Sequence, residues 1–209
     1  MIHILIVDDH AIVRRGLMQI MKEEPDIEVS ETADPREALR LVRENNWDML
    51  VLDLDLPGKS GLELLKEIKI ERPALPVLIL SVYPEEQFAV RTLKAGAAGF
   101  MSKDTAPEEL VKAIRKVLSG GKYINESVAE KLLSGLNSKT DGMPHEGLSD
   151  REFQILCLFG SGKSVSEIAS ELSLSVATIS THRARILEKM CMKTTAELVR
   201  YAIENRLVN

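Results

Sequence analysis

Apolar residues in the first part of the chain occur in two alternating patterns. Strand-like runs lie at Ile2–Val7, Ile27–Thr32, Met49–Leu52, Val77–Leu80 and Gly99–Ser102. Between them, apolar positions recur at helical spacing near 12–23, 35–45, 61–71, 85–95 and 106–119. Five strand–helix units of about 20–25 residues predict an α/β fold, a doubly wound five-stranded parallel sheet covered on both faces. The helix starts carry chemical marks. Asp34-Pro35-Arg36-Glu37 combines an N-cap, a proline at the first helical position and an acid at the third. Ser60-Gly61-Leu62-Glu63 and Thr105-Ala106-Pro107-Glu108 repeat the acid spacing of a capping box.

The pattern changes after Gly120-Gly121. A short helix is expected from Glu126 to Leu133, and residues 134–147 are rich in turn formers and poor in apolar side chains. Beyond them every segment is helical. Ser149-Asp150-Arg151-Glu152 and Ser164-Val165-Ser166-Glu167 each open a helix as capping boxes. The expected organisation is therefore an α/β domain over 1–119, a linker with a short helix over 120–147, and a smaller all-α domain over 148–209.

Composition narrows the class. An apolar fraction of 44% over 209 residues argues against disorder. The longest apolar runs fall far short of the roughly 20 residues of a membrane helix, and no basic region precedes a long apolar stretch. The expectation is a cytoplasmic protein with no membrane partner. Cys157 and Cys191 are the only cysteines and read as reduced residues in or near a core. The net charge of −5 is uneven: residues 1–144 hold 19 basic and 24 acidic side chains, whereas residues 145–209 hold 8 of each. Within the latter, 178–193 carry Arg183, Arg185, Lys189 and Lys193 against Glu188, a local basic stripe suited to nucleic acid.

Chemistry collects at the strand ends. Asp8 and Asp9 follow the first strand, Asp53 ends the third, Ser81 the fourth, and Lys103 follows the fifth. In an open parallel sheet, ligands bind at that edge, where strand order reverses. In strand order 2-1-3-4-5 the first and third strands are neighbours, which would bring Asp8, Asp9 and Asp53 together. Three carboxylates in one pocket repel unless a cation joins them, and hard oxygen donors with room for water suit Mg2+. A carboxylate beside Mg2+ can attack a phosphoryl group, with Lys103 neutralising charge and Ser81 hydrogen-bonding the product. Taken singly, each residue has a plainer reading: solvated caps for Asp8 and Asp9, a turn former for Asp53, core for Phe100. Their joint occurrence at successive strand ends favours a site.

Val7-Asp8-Asp9-His10, Asp53-Leu54-Asp55-Leu56-Pro57-Gly58-Lys59-Ser60-Gly61, Leu80-Ser81 and Gly99-Phe100-Met101-Ser102-Lys103 resemble the receiver domain of bacterial two-component response regulators, over roughly residues 1–119. The resemblance implies a flavodoxin-like fold and a phosphoryl group passed from a sensor histidine kinase to Asp53. It implies Mg2+ held by Asp9, Asp53 and the backbone carbonyl of Asp55, with Asp8 assisting. Ser81 and the aromatic Phe100 are implied to move together on modification. Phe100 stands where many receivers have tyrosine, which excludes a switch through a phenolic hydroxyl. Asp104 follows Lys103 where proline is frequent.

In the last part, Val165, Ile168, Ala169 and Leu172 form an apolar stripe, Ser173-Leu174-Ser175 makes a turn, and Ile179, Ile186 and Met190 face inward on the next helix. Small polar residues in front and arginines behind suit the major groove. Leu148 to Glu152, Gly162 to Ala169 and Leu174 to Arg183 resemble the LuxR-type helix-turn-helix domain, the match running to Asn209. Together the two halves resemble the NarL/FixJ class of response regulators. That resemblance implies sequence-specific binding of double-stranded DNA as a homodimer, with contact through the last helix (Ala196, Val199, Tyr201, Ala202, Ile203). It places Ser180, Thr181 and Ala184 at the groove, and Thr178, Arg183 and Lys189 near phosphates. Relatives usually carry Lys where Ser180 stands and often Asn or Lys where Ala184 stands; the loss of both implies either that specificity shifts to Thr181, Arg183 and Arg185 or that binding is weaker.

The expected mechanism is repacking of the fourth and fifth strand–helix units after phosphorylation, without turnover chemistry. Two rival readings exist. Asp53-Leu54-Asp55 also resembles the start of an aspartate-nucleophile phosphatase, but Leu56-Pro57 offers neither the later acid nor the threonine of that class. A DNA-binding protein with a merely structural acidic pocket is the other.

Overall fold

The computed structural model describes residues 1–83, 85–105, 107–125, 128–130 and 143–208. The chain divides into two compact units, Met1–Leu136 and Asn137–Asn209.

The first unit alternates β1 (Ile2–Val7), α1 (Ala11–Met21), β2 (Ile27–Thr32), α2 (Pro35–Glu44), β3 (Met49–Leu52), α3 (Gly61–Glu71), β4 (Val77–Ser81), α4 (Glu85–Lys94), β5 (Gly99–Ser102) and α5 (Pro107–Leu118). All four ladders are parallel and the sheet order is β2-β1-β3-β4-β5. The order reverses between β1 and β3, which opens a crevice at their carboxyl ends. Side chains alternate across the sheet. Ile4, Ile6, Met49, Val51, Leu78 and Met101 share one core cluster with Leu17 and Met21 of α1 and Leu110, Ala113, Ile114 and Val117 of α5. Leu5, Val7, Leu50, Leu52, Ile79 and Phe100 alternate with them and are also buried, so the opposite face is covered too.

At the starts of α2 and α3 the caps follow the sequence, with one difference, while Ala106 of the expected Thr105–Glu108 box lies outside the described residues. Asp34 accepts from Arg36 N at 2.7 Å, but Glu37 does not reach back to close a box. It accepts instead from Thr32 Oγ1 at 2.8 Å, tying the end of β2 to α2. Ser60 and Glu63 form a complete capping box at α3.

The second unit holds α6 (Asp150–Gly160), α7 (Val165–Glu171), α8 (Val176–Lys189) and α9 (Thr195–Glu204). Capping boxes at Ser149 and Ser164, and caps by Ser175 and Thr194, fix the four starts. Ser173 turns the chain between α7 and α8 at φ 51. Residues 144–147, expected as loop, form a 3-10 turn beginning on Pro144, whose fixed φ suits a helical start. Of the short helix expected over 126–133, residues 128–130 are helical and the remainder lies outside the described residues, as do 134–142. Cys157 is buried as expected, whereas Cys191 is exposed: it follows α8 at φ 54, where the chain turns outward. Among the described residues no helix is long and apolar enough to cross a membrane.

Candidate functional site

Each polar residue at the sheet edge is placed by its strand. Val7 pairs with Leu52, so Asp8 and Asp53 leave the sheet side by side. Asp53 N donates to Val7 O at 2.8 Å, which carries the pairing one residue past the strand end. Across the sheet, Lys103 N donates to Ser81 O at 2.9 Å and extends the β4–β5 ladder in the same way. The Lys103 ammonium then lies 2.6 Å from Asp53 Oδ2 and 2.8 Å from Asp8 Oδ2. Asp8 and Asp53 are 2% and 1% exposed, so this is a buried charge cluster.

The electrostatics reflect that burial. Desolvation pushes the Asp53 carboxyl up to about 7; the Lys103 charge opposes the rise and Asp8 adds to it. For Lys103, burial works against the ammonium, but Asp53 and Asp8 outweigh it and hold the group above the usual lysine range.

Asp9 and His10 complete the near side. His10 Nδ1 is 2.7 Å from Asp9 Oδ1, 3.4 Å from Asp8 Oδ1 and 3.9 Å from Asp53 Oδ2. Asp8, Asp9, His10 and Asp53 each offer one ligand atom, all within 4.8 Å of one another, a group that could hold a metal ion. Three carboxylates facing the Lys103 ammonium leave an excess of negative charge, and oxygen donors of that kind fit a hard divalent cation.

The loop after β3 is built to present Asp53. Asp55 N donates to Asp53 Oδ1 at 3.2 Å. Gly61 N donates to Leu54 O at 2.9 Å, and a Cβ on Gly61 would fall 2.0 Å from Asp53 O. Only glycine permits that approach. Ser81 is fully buried and its Oγ accepts from Tyr83 N at 3.2 Å. Phe100 is also fully buried, paired with Ile79 on the neighbouring strand.

Sequence reasoning missed three contributors. The Tyr83 hydroxyl donates to Asp55 Oδ1 at 2.6 Å, while its ring stacks on Phe88 with centroids 4.4 Å apart. Arg14 donates to Asp8 O at 2.8 Å and to Glu31 Oε2 at 2.9 Å, bracing the β1 end from α1. In the sequence, His10 stands only as the last residue of the aspartate motif. Its polarity next to paired acids was the available signal; for Tyr83 the signal was a phenol two residues beyond Ser81.

In the second unit, Ile179, Ile186 and Met190 are buried as expected, and Thr181, Ala184 and Arg185 are exposed on α8. Thr178, Ser180 and Arg183 are half-buried. Several hydroxyls are already engaged. Thr178 Oγ1 lies 2.8 Å from Ser175 Oγ, and Thr181 Oγ1 donates back to Ala177 O at 3.0 Å. Lys189 Nζ pairs with Glu152 Oε2 at 2.6 Å. Arg183 Nε is buried with no hydrogen-bond partner among the described residues. On α9, Ala202, expected in the dimer contact, is instead fully buried with Leu198 in the domain's own core; Tyr201 hydrogen-bonds His145 at 2.8 Å, and Ile203 is 58% exposed.

Comparison with known proteins agrees with this division. The response regulator receiver domain matches residues 4–115, and the bacterial regulatory proteins of the luxR family match residues 146–202. The response regulator UvrY of Escherichia coli K12 is 35% identical over 100% of this chain and 97% of its own. The transcriptional regulatory protein LiaR of Bacillus subtilis 168 is 36% identical over 100% of both chains. Among solved structures, RcsB from Salmonella enterica serovar Typhimurium, bound to promoter rprA in the presence of phosphomimetic BeF3−, is 28% identical. It covers 96% of this chain and 97% of its own, with a TM-score of 0.64. The chain belongs to the two-component response regulators of the NarL/FixJ class, transcription regulators that join a receiver domain to a LuxR-type DNA-binding domain.

Proposed function

We propose that Asp53 is the phosphoryl acceptor of this regulator and that its modification controls DNA binding by the second unit. The observation that carries this reading is the buried triangle of Asp53, Asp8 and Lys103, with the Lys103 ammonium within 2.8 Å of both carboxylates. An Asp53 carboxylate oxygen attacks the phosphorus of a phosphohistidine on the sensor kinase. The P–N bond breaks and the imidazole leaves with the electron pair. Lys103 balances charge on the phosphoryl oxygens in a site shielded from water. Ser81 turns its hydroxyl from the Tyr83 amide toward the new group. Asp9, Asp53 and the Asp55 backbone carbonyl, with Asp8 assisting, would hold Mg2+, which supplies further charge neutralisation on those oxygens. One aspartyl phosphate forms per chain, so the protein is a switch and not a turnover enzyme.

The added charge of about −1.5 to −2 draws Ser81 and Lys103 inward and repacks the β4–β5 side around Phe100. That change alters the packing of the domains, assigned to 1–119 and 148–209 with 120–147 between them, or their dimerisation. The regulator acts in the cytoplasm as a homodimer on double-stranded DNA. Thr181 and Ala184 face the groove with Ser180, and Thr178, Arg183, Arg185 and Lys189 lie near phosphates. The exposed basic face of α8 supports this placement. Exposed Ile203 on α9 supports the dimer contact.

Incubation with a small phosphodonor and Mg2+ should place one acid-labile phosphate on the chain and raise DNA affinity at fixed salt. Asp53→Asn should incorporate none; normal incorporation by that variant would reassign the acceptor.

A further inference from the structure

The outer face of α8 offers little hydrogen-bonding chemistry at its front. Ala177, Thr181 and Ala184 follow one another at spacings of four and three residues and so share one face of the helix, away from buried Ile179 and Ile186. All three are exposed. The one hydroxyl among them is already engaged: Thr181 Oγ1 donates its proton to Ala177 O at 3.0 Å. The methyl group of Thr181 is the part left to meet a ligand. Beside this line Val176, the first residue of the helix, is 52% exposed.

Small side chains do not by themselves make a site. Here the site is the LuxR-type unit matched over residues 146–202, in which α8 is the second helix of the helix-turn-helix, the one that lies in the major groove. In that groove guanine is read by Arg or Lys, and adenine by Asn or Gln. None of these stands on the line of Ala177, Thr181 and Ala184. Ser180, on its margin, is half-buried and brings one short hydroxyl that discriminates little between bases. An exposed face of methyl groups matches the one apolar mark in the groove, the C5-methyl of thymine.

We propose that the face of α8 formed by Val176, Ala177, Thr181 and Ala184 selects its DNA by apolar contact with thymine methyl groups, so that the preferred half-sites carry A·T pairs where this face meets the bases. The inference rests on the reading that α8 enters the groove, with Thr178, Arg183, Arg185 and Lys189 near phosphates. Those phosphate contacts set the salt dependence of binding, and the methyl face sets the sequence.

The test starts with selection from a random-sequence duplex library by the full-length protein, with phosphodonor and Mg2+ at fixed salt. The enriched duplex is remade with deoxyuridine for thymidine, which removes only the methyl, either within the half-sites or in the flanks. Binding is measured for wild type and for Thr181→Ser, which keeps the hydroxyl and loses the methyl. The expected result is thymine in the enriched half-sites. Deoxyuridine there should weaken wild-type binding about fourfold for each methyl read, with an unchanged salt slope, and flank replacement should do nothing. Thr181→Ser should bind the thymine duplex less tightly by a similar factor and respond less to deoxyuridine than wild type, because groups in contact are not additive. Half-sites without thymine, or equal wild-type affinity for both duplexes, would overturn the methyl readout and leave α8 in the groove. Effects of Thr181→Ser and deoxyuridine that simply add would take Thr181 out of the contact and overturn the assignment to this face. A library from which no sequence is enriched would overturn both this inference and the sequence-specific reading on which it rests.

Discussion

The Tyr83 hydroxyl donates a 2.6 Å hydrogen bond to the carboxylate of Asp55, joining the loop after β4 to the loop after β3 across 28 residues. Tyr83 also donates from its backbone N to Ser81 Oγ, and Asp55 N donates to Asp53 Oδ1. A continuous hydrogen-bonded path thus runs from the acceptor carboxylate to the Ser81 hydroxyl. Replacing Tyr83 with Phe keeps the stacking on Phe88 and removes the phenol. The first unit should lose about 1–2 kcal/mol, as expected for a hydrogen bond to a charged group in a mostly buried place. Urea unfolding followed by circular dichroism checks it; an unchanged midpoint would show that the phenol contributes nothing.

The acceptor carboxyl gives the metal-free protein a pH dependence with a definite sign. The folded value for Asp53, about 7, lies above its ordinary 3.8 because burial disfavours the charge. Its contribution to stability is therefore fully present below 3.8 and is lost as pH rises through about 7. With a chelator present, the unfolding free energy of the first unit should fall between about pH 4 and 7, by about 1.4 kcal/mol per pH unit at most. Divalent cation binds the ionised form and should flatten or reverse the slope. Asp53→Asn should show no such dependence, and a slope unchanged in that variant would assign it to other groups.

The sheet, its strand order and the charge cluster were legible because parallel strands buried on both faces leave few options: each βα unit delivers one strand end to the same edge. Asp8, Asp53, Ser81 and Lys103 could be placed together from their positions after strands. Side-chain direction was not legible. Glu37 closing onto Thr32, Thr181 turning back onto Ala177 and Lys189 engaging Glu152 all depend on rotamers and on neighbours distant in sequence. Tyr83 and Arg14 act through contacts between elements that no local pattern encodes.

Gly61 meets a stricter demand than its helix-start position suggests. A Cβ there would lie 2.0 Å from Asp53 O and 2.7 Å from Leu54 Cα, both backbone atoms that cannot rotate away. Gly61→Ala must displace the loop that carries the acceptor. The expected cost is about 2–4 kcal/mol. Phosphate incorporation should fall even in the fraction that remains folded. A variant as stable as wild type, measured by thermal unfolding, would contradict the close approach.

Lys189 and Arg185 lie on the same helix but should answer differently. Lys189 is held by Glu152, whose side chain is 4% exposed. Burial alone would raise the Glu152 carboxyl, but Lys189 and Ser149 outweigh it and keep it below the usual range. Its contribution is thus present above the ordinary value of 4.5 and is lost as pH falls through the lower folded value. Glu152→Gln should cost the second unit about 1 kcal/mol at neutral pH, since Lys189 is partly solvated, and less in acid. Arg185 is exposed, with no ion pair of this kind among the described residues. Arg185→Ala should leave stability unchanged and lower the salt dependence of DNA binding by about one counterion, the signature of a lost phosphate contact. Lys189→Ala should lower stability first. Lys189→Ala should also reduce the salt slope, as Lys189 exchanges Glu152 for a phosphate when DNA binds; equal salt slopes for wild type and Arg185→Ala would remove Arg185 from the phosphate contacts.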